Sequence, residues 1–252
     1  MTHTRPSASA SASARSVLTS GLAAPKPIFD WFFALATLSV LAVGVRAIFF
    51  TPIEALQGAA QKIYYIHVPA ALGAYIGVSL TAIMSIVYLW LHDDRADRLA
   101  EASAEVALVF LTVVLTTGPI WAHRIWGAWW VWWDMRLTFT LFLWFIVAAY
   151  LVLRDGIEDA AMRGRYGAVL AVLGALLIPF IHLSVYLFSA RLHPMPVVLK
   201  PDKPSLPPEM LTTFLLSFVA FTLLCFALIR ARYRIAVQRE LVTAFEGEGG
   251  SR

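Results

Sequence analysis

Apolar residues run along this chain in six long blocks, at about 28–50, 64–91, 100–120, 138–153, 166–188 and 211–230. Polar and charged residues gather between the blocks rather than along one side of them. A hydrocarbon layer of about 30 Å takes roughly 20 apolar residues of helix to cross. Lipid offers the backbone no hydrogen-bond partner, so each block must satisfy its own N–H and C=O groups as a helix. The pattern therefore predicts an all-α polytopic membrane protein with six transmembrane helices. The first block is longer than the apolar stretch of a signal peptide, which predicts an uncleaved span. Nothing in the pattern repeats, and no boundary divides the apolar blocks into two domains.

The segments between the blocks set the orientation. Residues 1–27, with the run SASASASARS, hold too little apolar surface to fold and read as a disordered tail. With that tail inside, the inner segments carry Arg5, Arg15, Lys26, Arg95, Arg98, Arg154, Arg163, Arg165, Arg230, Arg232, Arg234, Arg239 and Arg252. The outer ones carry Arg46, Lys62, Arg124, Arg136, Arg191, Lys200 and Lys203. This excess of basic residues inside predicts both termini in the cytoplasm. The chain then divides into a cytoplasmic tail at 1–27, a six-helix membrane domain at 28–230 and a second cytoplasmic tail at 231–252. Three connections face outward, at about 51–63, 121–137 and 189–210. The third, with KPDKPSLPPE, is too rich in proline to be helical throughout.

Composition narrows the chemistry. Charged residues make up 14% of the chain, against about a quarter in soluble domains. Cys225 is the lone cysteine, which excludes a disulfide framework, a CxxC redox pair and covalent haem attachment through a CxxCH site. There is no GxxxxGK[ST] phosphate loop. No basic stripe interleaved with aromatic residues points to nucleic acid.

The second outer connection holds the most unusual stretch, WGAWWVWWDMRLT at 126–138. Five of the nine tryptophans, Trp126, Trp129, Trp130, Trp132 and Trp133, fall within eight positions there. On a helix, Trp126, Trp129, Trp130 and Trp133 would share one face and Trp132 would point elsewhere. A belt of tryptophan at the membrane surface is one explanation. The density of indoles in a single connection favours another, a platform for a large, flat, apolar ligand with a charged edge. A porphyrin meets that description, with Arg136 or Arg124 to pair with its propionates. Asp134 would repel a propionate and is assigned to orienting Arg136 or a loop amide.

Histidines supply candidate iron ligands. His67, in KIYYIHVPAA, lies near the outer end of the second span, with Pro69 expected in the helix's first turn. His182, in LIPFIHLSVY, lies near the outer end of the fifth, one turn beyond a possible kink at Pro179. An ionisable residue inside a span is costly and commonly functional, and neutral imidazole is a good axial ligand for haem iron. His123 and His193, in outer loops, are weaker candidates, and His3 and His92 are assigned no chemistry. Lys62 should lie at the same rim as His67, within reach of a propionate.

Together these segments resemble a known family. WGAWWVWWDMRLT is similar to the tryptophan-rich WWD signature of haem-handling membrane proteins. IYYIHVPAA, TTGPIWAHRIWG and IPFIHLSVY resemble the haem exporter protein C family (CcmC) of the cytochrome c maturation system, over about residues 28–230. The resemblance implies non-covalent, transient binding of haem b at the outer face of the inner membrane, with His67 and His182 as iron ligands. It also implies transfer to a periplasmic haem chaperone, component E, and association with the ATP-binding and integral subunits of an ABC-type complex. Such a protein is a carrier rather than an enzyme. The family pattern is close to WGxWWxWDxRLT, so this chain has one extra residue before the aspartate. On a helix the extra residue would swing Asp134 by about 100°; an irregular loop would absorb it. A cytochrome b-type electron-transfer subunit would instead hold haem deep in the bundle, and a solute or haem transporter would break its helices near the midplane. The haem lyase and two-component synthetase that share the WWD loop resemble longer chains.

Overall fold

The computed structural model of the protein describes residues 30–187 and 206–249. The expected tail at 1–27, His3, and most of the third outer connection with His193 lie outside the described residues. Six helices follow in order: α1 (Trp31–Val45), α2 (Tyr64–Leu91), α3 (Asp94–Trp126), α4 (Met135–Gly156), α5 (Ala160–Leu187) and α6 (Pro208–Gly249). A π-helical turn, Arg46–Phe50, continues α1, and a 3-10 turn, Ala59–Ile63, leads into α2. With that π-helical turn counted into α1, all six are long and apolar enough to cross a membrane. The protein is an all-α, multi-pass membrane protein.

Helices α2 and α3 form the most extensive pair, and α2 also packs on α5 and α6. Their contact depends on small residues. A Cβ added at Gly77 would lie 2.9 Å from the Ala107 Cβ and 3.1 Å from the Ser103 carbonyl oxygen. One at Gly73 would lie 2.8 Å from the Phe110 ring. Ala70, Ala74, Ala104 and Ala107 are fully or almost fully buried along the same seam. Lipid is as apolar as the side chains, so helices here associate by close packing, which small residues permit. Helix α1 stands apart from this core and packs on α6.

Several helices outrun their apolar blocks. Helix α3 starts at Asp94 and α6 continues past residue 230 to Gly249. The added turns are polar and are held by ion pairs. Arg154, almost fully buried, grips both oxygens of Asp97 at 2.7 Å and reaches Glu101 at 3.0 Å. Arg232 pairs with Glu105, and Arg98 with Glu240. At the start of α1, Asp30 caps the helix by accepting from the N–H groups of Phe32 and Phe33. Its carboxylate also meets Arg234 and Arg230. Partial desolvation pushes this carboxyl up, but the Phe33 N–H, Arg230, the Phe32 N–H and Arg234 together hold it below its ordinary value. These contacts all lie at the end of the bundle opposite the tryptophan stretch.

Helix α2 begins earlier than the placement of Pro69 in its first turn requires. With Tyr64 as the first residue, Pro69 sits in the second turn, where its missing N–H leaves the Tyr65 carbonyl without the usual helical donor.

The α2–α3 seam generates a direct test. Gly77→Val must push the helices apart or displace Ala107, and overpacking of this kind costs roughly 1–3 kcal/mol. A melt of the purified protein in detergent should show a clear loss of stability, whereas Gly44→Ala, where an added Cβ meets nothing within 4 Å, should show little.

Candidate functional site

The site is built where α2, α3, α4 and α5 end together. His67, the fourth residue of α2, is half-buried against the last turns of α3. Its Nδ1 lies 2.9 Å from the Thr117 hydroxyl. Its Cε1 passes so close to Gly118 that a Cβ there would come within 3.1 Å. Its ring meets Trp121 edge-to-face at 5.9 Å between centroids. Trp121 is fixed in turn, because its Nε1 donates to the Gln57 side-chain oxygen at 3.1 Å and Tyr64 packs against it at 6.0 Å.

The tryptophan stretch is a loop rather than a helix, which corrects the four-indole face expected from helical spacing. Helix α3 ends at Trp126, where Gly127 takes the left-handed conformation (φ 73°) and donates its N–H to the His123 carbonyl. Only glycine adopts that geometry without strain. Helix α4 then starts at Met135 with Asp134 as its N-cap. The Asp134 carboxylate accepts the Leu137 N–H at 3.1 Å, and the Thr138 hydroxyl donates to the Trp132 carbonyl at 2.9 Å. Asp134 is 3% exposed. Residues 127–134 are thus irregular, and the aspartate serves a helix end.

Capping turns part of the loop inward and part outward. Val131 is buried with Asp134, while Trp129, Trp132 and Trp133 are 58%, 66% and 68% exposed. Trp129 lies flat on His123, 4.1 Å between ring centres and 5° from parallel. Trp130 meets Trp132 edge-on at 5.7 Å. Three broad indole surfaces therefore face out from this end of the bundle, beside the partly buried Trp126 and Trp130.

Arg136 links the loop to the fifth helix. Its Nη2 makes a long hydrogen bond, 3.4 Å, to the His182 carbonyl. That contact places His182 at the same end as His67 and the tryptophans, with its own side chain exposed. Two buried donors here, Arg136 Nε and Trp130 Nε1, find no acceptor among the described residues. An unmet buried donor costs about 1–3 kcal/mol, so both suit a ligand that brings acceptor oxygens. No ion pair within 4.0 Å engages Arg136 among the described residues, and the Asp134 carboxylate acts on its charge only from further off.

Lys62 has another task than the expected propionate contact. Its ammonium donates to the carbonyls of Ala47, Ile48 and Thr51 at 2.7, 2.8 and 3.0 Å. All three of its N–H groups are thereby used at the frayed end of α1. Arg124 is exposed on the last turn of α3. Sequence reasoning passed over Thr117, Gly118, Trp121 and Gln57. The signal was available in TTGPIWAH, where Thr117, Gly118 and Trp121 share one helical face.

A family model described as heme exporter protein C matches residues 14–246. Among curated proteins, the chain is similar to the heme exporter protein C of Bradyrhizobium diazoefficiens, 33% identical over 235 residues, which cover 92% of this chain and 87% of that one. The protein of the same name from Haemophilus influenzae is 32% identical over 212 residues, covering 82% of this chain and 84% of the relative. That from Escherichia coli K12 is 34% identical over 165 residues, covering 63% and 66%.

The cap role of Asp134 separates two variants. Asn caps as well as Asp, whereas Ala loses about 1 kcal/mol. Asp134→Asn should therefore melt close to wild type and Asp134→Ala clearly lower. Equal losses in both would mean that the charge, rather than the cap, is what matters.

Proposed function

The chain belongs to the haem exporter protein C family, and on that premise we propose that it serves haem export for cytochrome c maturation. In this reading it takes up haem b non-covalently at the periplasmic face of the bacterial cytoplasmic membrane, with both termini in the cytoplasm. It then presents the haem to a periplasmic chaperone, component E, while working beside the ATP-binding and integral subunits of an ABC-type complex. The excess of Lys and Arg in the segments assigned to the inside supports this orientation.

His67 and His182 are the proposed iron ligands, one from α2 and one from α5. The exposed indoles of Trp129, Trp132 and Trp133 grip the macrocycle, with Trp126 and Trp130 behind them. Arg136 meets a propionate, an interaction in which a guanidinium can donate two parallel hydrogen bonds. Asp134 acts indirectly, by fixing the start of the helix that carries Arg136. Lys62 is left out of the haem contacts because its donors are taken.

The observation that carries the reading is the meeting of three features at one end of the bundle. A histidine packed on α3, an arginine bonded across to the His182 carbonyl and three outward-facing tryptophans lie there together. A carrier must also release its cargo. A site at a helix end beneath a surface loop leaves one edge of the ligand open to a partner, which a pocket deep in the bundle would not. Haem supplies the reactive iron and vinyl groups; the protein supplies ligation and position.

The test is the absorption spectrum of the haem-loaded protein beside His67→Ala, His182→Ala and Arg136→Leu. Wild type should show a six-coordinate bis-imidazole spectrum, which either histidine change should convert or abolish. Arg136→Leu should keep the spectral type but weaken haem affinity about tenfold or more, the loss expected for a charge-assisted hydrogen bond. An unchanged spectrum in either histidine variant would remove that residue from the iron.

A further inference from the structure

We infer that Thr117 is a positioning residue, which holds His67 as its Nδ1–H tautomer and so keeps the Nε2 lone pair for a metal. This rests on the reading of His67 as an iron ligand. The case is one of hydrogen positions. The Thr117 hydroxyl lies 2.6 Å from the Val113 carbonyl oxygen, one turn back on α3. Two oxygens at that separation need a hydrogen between them, and a carbonyl has none to give. The single hydroxyl proton of Thr117 therefore goes to Val113. The contact between Thr117 and His67 Nδ1, at 2.9 Å, then needs its proton from the imidazole. Nδ1 is the donor, Thr117 the acceptor, and in the neutral ring the lone pair lies on Nε2.

The surroundings hold the ring in that orientation. Gly118 leaves the Cε1 edge the room that any larger residue would fill, and Trp121 closes on the ring from one helical turn further along. Thr117, Gly118 and Trp121 thus form a slot on α3 for one imidazole of α2. A ligating histidine commonly donates its second N–H to a protein acceptor, and losing that acceptor typically lowers metal affinity about 10–100-fold. Here the acceptor is a hydroxyl whose own proton is directed away by the helix backbone.

The experiment uses the full-length protein in detergent with nitrogen-15-labelled histidine, first without haem and then titrated with it. Nitrogen NMR of the haem-free wild type, with the His67 signal assigned by its loss in His67→Ala, should show Nδ1 protonated and Nε2 bare. Thr117→Val, which keeps the shape but removes the hydroxyl, should shift that tautomer balance and weaken haem binding at least about tenfold. Thr117→Ser should restore both. A wild-type signal with Nε2 protonated would overturn the inference without any variant having to fold. So would a Thr117→Val protein with wild-type tautomer and affinity. If His67→Ala leaves the haem spectrum unchanged, the ligation reading itself fails, and the positioning role falls with it even where the tautomer is as stated.

Discussion

The close approach of α2 and α3 underlies the rest of the structure. In lipid two apolar helices gain nothing by hiding from solvent, so they hold together only as far as their surfaces interlock. Gly73 and Gly77 on α2, facing Ser103, Ala107 and Phe110 on α3, allow that interlock. The same seam continues to the end where His67 meets Thr117, Gly118 and Trp121. An extra methyl group at the seam would therefore act on the histidine slot as well as on the core. Because α2 also packs on α5 and α6, the helix that carries one candidate ligand touches three of the other five.

A second constraint shapes the rim of the site. Wherever a helix stops near the hydrocarbon, its unpaired backbone groups need partners that lipid cannot offer. Side chains that look chemically active meet this need. Lys62 supplies three donors to the carbonyls that close α1, Asp134 accepts at the start of α4, and Gly127 lets α3 turn out of its helix. At the opposite end Asp30 and Asp93 cap helix starts, and ion pairs such as Arg154 with Asp97 and Glu101 hold the polar turns together. These caps leave the tryptophan loop short and anchored at both ends, so its outward indoles are presented on a fixed base.

The architecture was legible because apolar length is a strong signal for a spanning helix, and all six blocks became helices. Their ends were less legible. The polar turns of α3 and α6 continue as helix because ion pairs and good helix-forming residues sustain them, which hydropathy does not register. The tryptophans, the two histidines and Arg136 stood out by residue type, yet helical periodicity misplaced the indoles, because Gly127 ends the helix before them. For Lys62, proximity to His67 along the chain carried no information about the three carbonyls that surround its ammonium. Thr117 and Gly118 were missed for a plainer reason: neither residue type announces chemistry, and their importance lies in what α2 places against them.

The proposed account turns on whether one haem iron joins α2 to α5. Electron cryo-microscopy of the haem-loaded protein in a lipid nanodisc would decide it most directly. The account predicts iron density between the rings of His67 and His182, with the macrocycle under the Trp129–Trp133 loop and a propionate on Arg136. Haem held by another pair of side chains, or at the opposite end of the bundle, would contradict it.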